Sequence, residues 1–123
     1  MGWSAFRESA LESVSLPSTL KRVESNAFNE CVHLRTVALS EGIESIGLVC
    51  FWGAAIEEIT IPASVMRIET QAFENCTKLR RMTFADGSRL EKISRYALCE
   101  TGLTQERVRF PNCAKVSVKA FES

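Results

Sequence analysis

The sequence predicts an α/β solenoid of about five coils, in which short parallel β-strands alternate with short helical turns. Two observations predict it. A small residue followed by a large apolar residue recurs every 22 to 25 positions, and aliphatic residues recur in register with that pair. A unit of this length cannot bury its own apolar face, but stacked units can. We therefore expect a single solenoid domain over residues 1–123.

The recurring pair marks the phase of each unit. Its small member stands at Ala5, Ala27, Cys50, Ala72, Ala97 and Ala120. Phe follows in every unit but one, where Leu98 takes its place. We expect the small side chain to let neighbouring coils approach closely and the Phe to fill the core. We also expect the pair to begin a short helical turn.

The residues after each turn predict a strand. In the first four units an opening Leu or Ile is followed by two apolar residues in alternation, as at Val14 and Leu16. Alternation of this kind is typical of a half-buried strand. Because every coil repeats it, the strands should lie side by side in a parallel sheet, about 4.8 Å apart. A second short extended segment should follow on another side of the coil, as from Leu20 to Val23.

The connection from each turn to the next strand has two lengths, and they alternate. It spans six residues from Phe28 to Leu34 and again from Phe73 to Leu79. It spans five residues from Phe51 to Ile56. The sequence therefore predicts two turn variants.

The best units resemble the BspA-like leucine-rich repeats, a subgroup found in surface proteins of bacteria and protists. They read LESVSLPSTLKRVESNAFNECVHL and IEEITIPASVMRIETQAFENCTKL. The resemblance extends from Ala5 to Phe121, with Ser40 and Ala85 in place of the Pro found in other units. It implies a right-handed solenoid and, often, adhesion or recognition at a cell surface. It implies no catalytic residue.

Composition and motifs argue against several classes of function. Lys and Arg number 15, as do Asp and Glu, so the formal net charge is zero and we do not expect nucleic-acid binding. No apolar run approaches the roughly 18 residues of a membrane span. The five Cys form no CxxC pair, which disfavours a zinc site and a disulfide framework. Cys31 and Cys76 hold the same phase of the repeat two coils apart, too far for a disulfide, so we expect buried free thiols there. His33 is interpreted as a solvated turn residue, so we expect no enzyme, cofactor or metal site.

The outward-facing strand positions and the aromatic residues at turns are the candidate contacts with a partner protein. Charged residues at these positions alternate in sign from coil to coil, which favours a charge ladder that sets the register. Trp is enriched at binding hot spots, although Trp52 could instead pack over its own turn. The candidate protein-binding residues are Trp52, Glu58, Thr60, Arg81, Thr83 and Arg109.

Three functions fit these observations. The family resemblance favours a non-enzymatic adhesion or protein-binding module that is secreted or held at the cell surface. Free Cys and the lack of a visible signal peptide favour an intracellular scaffold in the cytoplasm. The chain also begins and ends in the same phase of the repeat, without a polar cap. This indicates a fragment of a longer array, or a structural array whose ends associate with another copy.

Overall fold

Each of the first four coils carries one four-residue strand and one two-residue strand, and the fifth coil carries a two-residue strand among its described residues. The computed structural model describes residues 10–104, 108–111, 115–117 and 119–121, which hold about four complete turns and part of the next. The four-residue strands, here called wide strands, are β1 (Ser13–Leu16), β3 (Thr36–Leu39), β5 (Glu58–Ile61) and β7 (Arg81–Phe84). The two-residue strands are β2 (Arg22–Val23), β4 (Ser45–Ile46), β6 (Arg67–Ile68), β8 (Lys92–Ile93) and β9 (Lys115–Val116).

The two-residue strands form one continuous parallel sheet, here called the narrow sheet, in the order β2-β4-β6-β8-β9. Its inward column is aliphatic, and Val23, Ile46, Ile68 and Ile93 are at most 1 % exposed. The side chains of this column face the core because alternate residues of a strand point to opposite sides. The prediction of a second extended segment in each coil is therefore confirmed.

The wide strands do not form the single sheet that the sequence predicts. They pair in twos, β1 with β3 and β5 with β7, and β3 is not paired with β5. The turn length explains the split. After the six-residue connections, the amides of Arg35 and Arg80 bond to the carbonyls of Glu12 and Glu57 in the preceding coil.

After the five-residue connection, the first hydrogen bond from the chain before β5 to the preceding coil comes one residue before the opening Ile56. After the six-residue connections, the corresponding bond comes one residue after the opening Leu. In the five-residue case the amide of Ala55 donates to the Leu34 carbonyl at 2.9 Å, before the opening Ile56 is reached. The chain thus enters β5 out of step with β3. The two turn variants are confirmed by this difference, and the continuous sheet is wrong because one residue fewer in the turn shifts the bonding position.

The turn around each Phe is not helical, and the described residues contain no helix. Phe28, Phe51 and Phe73 donate their amides to the carbonyls of Cys50, Ala72 and Ala97 in the next coil, at 2.8–2.9 Å. The amides between them bond three residues back, as from Asn29 to Asn26 at 3.2 Å. A helix needs successive amides to bond four residues back within the same segment. The short helical turn predicted from sequence is wrong because alternate amides leave the turn for the neighbouring coil.

The Phe side chains stack along the solenoid axis and form the centre of the core. The rings of Phe28 and Phe51 lie 5.3 Å apart and 5° from parallel, and those of Phe51 and Phe73 lie 5.4 Å apart and 10° from parallel. Burial and stacking both stabilise such a column. Ala27, Cys50, Ala72 and Ala97 beside it are fully buried, as expected of residues that let coils approach closely.

Two positions in each turn adopt the left-handed backbone conformation. The residue before the small one does so at Asn26, Val49, Gln71 and Tyr96, with φ between 56° and 63°. The second position holds Glu30, Gly53, Asn75 and Glu100. Val49 is the least suited residue of the eight, because a β-branched side chain clashes with its own backbone at positive φ.

Replacing Val49 by Asn should raise the free energy of unfolding by about 1 kcal/mol, because Asn tolerates the left-handed region. Asn26 and Asn75 already adopt this conformation in the same turns. Urea unfolding of the two proteins measures the difference. The control is Leu48→Asn, which changes the exposed neighbour and should move stability by less than about 0.5 kcal/mol. A Val49→Asn protein less stable than the control would contradict the assignment of strain to Val49.

Candidate functional site

The outer face of the wide strands carries two exposed columns of small or charged residues. The inward positions Val37, Ile59 and Met82 are buried and fix the strands against the core. The two outward columns are Ser13, Thr36, Glu58 and Arg81, and Ser15, Ala38, Thr60 and Thr83. Because the second column has only short side chains, the surface along that column is recessed relative to the longer side chains beside it.

An open groove of about 910 Å³ lies on the outer face of β3, β5 and β7, and it includes the place where β3 and β5 are not paired. The chain from Arg35 to Leu39 forms one wall, and the chain from Glu57 to Thr60 forms the other. Arg80, Arg81 and Thr83 extend it over the next coil. Four of the six predicted binding residues, Glu58, Thr60, Arg81 and Thr83, therefore lie together along one groove.

Two ion pairs form on this face of the solenoid. Arg80 contacts Glu57 at 3.1 Å and Arg81 contacts Glu58 at 3.4 Å, both between the third and fourth coils. All four side chains are largely exposed, so each pair contributes at most about 1 kcal/mol. Across the gap no such pair forms among the described residues, and the guanidinium of Arg35 has no partner there. The charge ladder is thus confirmed for the pair β5–β7 only.

Trp52 and Arg109 do not line the groove. Trp52 lies on the turn of the third coil, half-buried, and its Nε1 donates to Glu74 Oε1 at 3.2 Å. The same oxygen accepts from Gln71 Nε2 at 2.6 Å, so the indole is held by a local network. Arg109 is exposed on the fifth coil. Trp3 and Arg107 lie outside the described residues.

The four described Cys side chains are buried thiols outside any disulfide, as the repeat predicts, at Cys31, Cys50, Cys76 and Cys99. Burial raises the pKa of Cys50 well above its ordinary value, with smaller contributions from the thiols of Cys76 and Cys31. Burial likewise raises the pKa of Cys76 to about 12. A protonated, enclosed thiol is a poor nucleophile and metal ligand, and Cys76 Sγ donates to the Phe51 carbonyl at 3.0 Å. Cys113 lies outside the described residues.

The described part of the chain offers no other obvious reactive site. It contains no group of three or more His, Cys, Asp or Glu side chains placed to hold a metal ion. His33 is exposed on its turn. The same part of the chain holds no helix of the length and apolarity needed to cross a membrane.

The groove depends on residues that sequence reasoning did not select, namely Arg35 and Thr36 on the β3 side. The signal that could have identified them is the alternation of turn lengths. The five-residue connection from Phe51 to Ile56 precedes β5, which is not paired with β3, and residues of both strands line the groove.

Comparison with known proteins gives a consistent result. The family model described as the BspA type leucine rich repeat region matches residues 1–123 in six copies. The crystal structure of the pneumococcal vaccine antigen PcpA is similar over 89 % of this chain, with 25 % identity and a TM-score of 0.68. A leucine rich cell surface protein of Faecalibacterium prausnitzii is similar over 92 %, with 22 % identity and a TM-score of 0.57. No curated protein sequence is significantly similar to the chain.

The chain spans about a third of each of these solved structures, 31 % of the pneumococcal antigen and 36 % of the Faecalibacterium protein. The two likenesses cover nearly the whole of this chain.

The free energy of unfolding should fall as the pH rises above about 9, because the thiols of Cys50 and Cys76 stay protonated in the folded chain while the same thiols ionise in the unfolded chain. Each of these two thiols should contribute a slope of about 1.4 kcal/mol per pH unit up to its folded pKa, which for Cys76 is about 12. Urea unfolding in a reducing buffer at several alkaline pH values measures this slope.

The variant Cys50→Ala should have a shallower slope of stability against pH, because it lacks one titrating thiol. The fold should accept the change, since Ala occupies the same position at Ala27, Ala72 and Ala97. The control Val65→Ala also truncates a fully buried side chain but removes no titrating group. It should lower stability at every pH and leave the slope unchanged. An equal slope in Cys50→Ala and the unmodified protein would contradict the burial of this thiol.

Proposed function

The chain belongs to the BspA-type leucine-rich-repeat family, and on that premise we propose that it is a non-enzymatic module that binds another protein across the groove over β3 and β5. We further propose that it acts in adhesion or recognition at a cell surface. One of the similar structures is described as a cell surface protein, which supports this location. Leucine-rich-repeat domains typically mediate protein interactions, which supports the choice of partner.

The observation that carries the proposal is the clustering of Glu58, Thr60, Arg81 and Thr83 along a single groove. The groove is long, open and formed on rigid strands, so its residues keep fixed positions as a partner approaches. Its floor of short side chains admits larger side chains from that partner. Its walls present both signs of charge, which gives orientation and specificity to a protein contact.

The partner should approach through its side chains and not by adding a strand. Insertion of a strand between β3 and β5 needs about 9.6 Å, twice the strand spacing. The Cα atoms of these two strands approach to within 8 Å, which leaves too little room. The guanidinium of Arg35 at the edge of the gap supplies an available charge for a carboxylate of the partner.

The ion pairs at the groove can be exchanged at little cost. Arg81 and Glu58 are 74 % and 67 % exposed, so breaking their contact releases two hydrated groups and leaves no buried charge. Either residue can therefore turn to a partner. Buried charge pairs would have held the face in one arrangement.

Photocross-linking tests this proposal. A photoreactive residue in place of Thr60 should cross-link to a protein from an extract of cell-surface proteins. The same residue in place of Lys78, which is exposed on a turn and does not line the groove, is the control and should not. The unmodified chain should compete for the cross-link, whereas the chain with Thr60→Arg and Thr83→Arg should not, because the two long side chains fill the groove floor.

Two results would contradict the proposal. Cross-linking of a second copy of the chain from Thr60 would favour a self-associating array. Equal cross-linking from Thr60 and Lys78 would mean that the groove is not the contact surface. The same reagent at Trp52 and at Arg109 tests whether the contact extends beyond the groove.

A further inference from the structure

A row of cations runs along the outer face of the narrow sheet. The outward residue of the sheet is Arg22 in the first coil, Ser45 in the second, Arg67 in the third, Lys92 in the fourth and Lys115 in the fifth. The four cations are exposed, and we call them the cationic column. Ser45 is only 7 % exposed although its position faces outward, between the register positions of Arg22 and Arg67.

The last three cations of the column are direct neighbours. Arg67 is opposite Lys92 in the parallel register, and Lys92 is opposite Lys115. Adjacent strands are about 4.8 Å apart, so three positive charges follow one another over about 10 Å. Like charges placed directly opposite each other destabilise a sheet. This arrangement therefore costs stability in the isolated chain.

The surrounding acids compensate the column only in part. Arg67 Nε lies 3.7 Å from Glu69 Oε1, a contact at the limit of an ion pair. In the described part of the chain Arg22, Lys92 and Lys115 have no ion-pair partner. Glu91 is exposed beside Lys92 in the sequence, whereas Arg89 and Arg95 are exposed three residues to either side of it.

The charges on the outer face of the wide strands are arranged differently from those on the narrow sheet. On that face the chain places Glu57 and Glu58 opposite Arg80 and Arg81, and each pair is in contact. On the narrow sheet the same stacking of coils brings together charges of one sign. Because the net charge of the whole chain is zero, the column is a local concentration of positive charge and does not reflect a generally basic protein.

We propose that the outer face of the narrow sheet, from the third to the fifth coil, binds a sulfated polysaccharide that lies along the solenoid axis. Such a chain carries anions at repeated intervals and can follow a row of cations that also repeats. Contact with the polyanion would relieve the electrostatic repulsion among these cations. Relief of that repulsion, which is present in the unbound protein, therefore contributes to the binding free energy. This site shares no residue with the groove and does not depend on it.

The chemistry of the face disfavours other polyanions. A single-stranded nucleic acid usually requires aromatic side chains on which its bases stack, and the column has none. Tyr96, on the turn that follows, already lies against the guanidinium of Arg95 at 5.9 Å. An acidic amphipathic helix needs an apolar groove for its other face, and the residues flanking the column are largely Glu, Ser and Gly.

Binding of the full chain to immobilised heparin, a sulfated polysaccharide, tests the proposal at about 0.1 M NaCl, where exposed charges still interact. We expect saturable binding that weakens as salt is raised. Lys92→Glu should weaken it at least tenfold, and Lys92→Glu with Lys115→Glu should abolish it. Lys78→Glu changes the net charge by the same amount as Lys92→Glu, away from the column, and should bind within about twofold of the unmodified chain.

Stability measured on the same variants separates lost contacts from lost folding. Lys92→Glu places a carboxylate between Arg67 and Lys115, so it should raise the free energy of unfolding slightly while it weakens binding. A structural role for Lys92 would move both quantities in the same direction.

Three outcomes would overturn the proposal. The first is no binding to heparin at this salt concentration. The second is equal weakening by Lys78→Glu and Lys92→Glu, which would mean a response to net charge alone. The third is binding of desulfated heparin, of an oligodeoxythymidine or of poly-glutamate as tightly as heparin, which would assign the face to another class of ligand. None of these results bears on cross-linking at Thr60, so the two proposals fail independently.

Discussion

The backbone hydrogen bonds between successive turns are the constraint on which the rest of the structure depends. Every second amide around each Phe donates to the next coil, as from Phe28 to Cys50 and from Phe51 to Ala72. These bonds fix the distance between coils, which in turn stacks the phenyl rings at 5.3–5.4 Å. They also require left-handed residues at both ends of the turn, and they leave no room for a helix there. The small residue before each Phe is needed because the coils are this close.

The surface follows from the same spacing. Stacking brings residues of equal phase to neighbouring positions on adjacent coils, so each outward column acts as one chemical unit. Where neighbouring residues of a column differ in sign, as at Glu58 and Arg81, the result is a locally neutral face with weak, exposed ion pairs. Where a column repeats one sign, as at Arg67 and Lys92, the result is a concentrated positive field. Two faces of one small solenoid can therefore suit a protein and a polyanion respectively.

The groove shows how the alternation of two turn lengths shapes the surface of a repeat. An array with six-residue connections throughout would present a continuous sheet. The five-residue connection between β3 and β5 leaves these two strands unpaired, and the groove is lined by residues of both strand pairs. The core is unaffected, because Phe51 and Ile56 stay buried in phase with their neighbours. The repeat thus tolerates the difference in turn length at its surface while its interior remains regular.

The sequence by itself determined the repeat, the inward columns, the buried thiols and the family, because these depend on which residues recur and at what interval. It also located Glu58, Thr60, Arg81 and Thr83 on one outward face. Only the tertiary structure decided that the turn at Ala27–Phe28 is not helical and that the wide strands pair in twos. Both depend on which carbonyl of a neighbouring coil an amide reaches, as Ala55 reaches Leu34. That partner belongs to another repeat, so the pattern within a single repeat does not contain it.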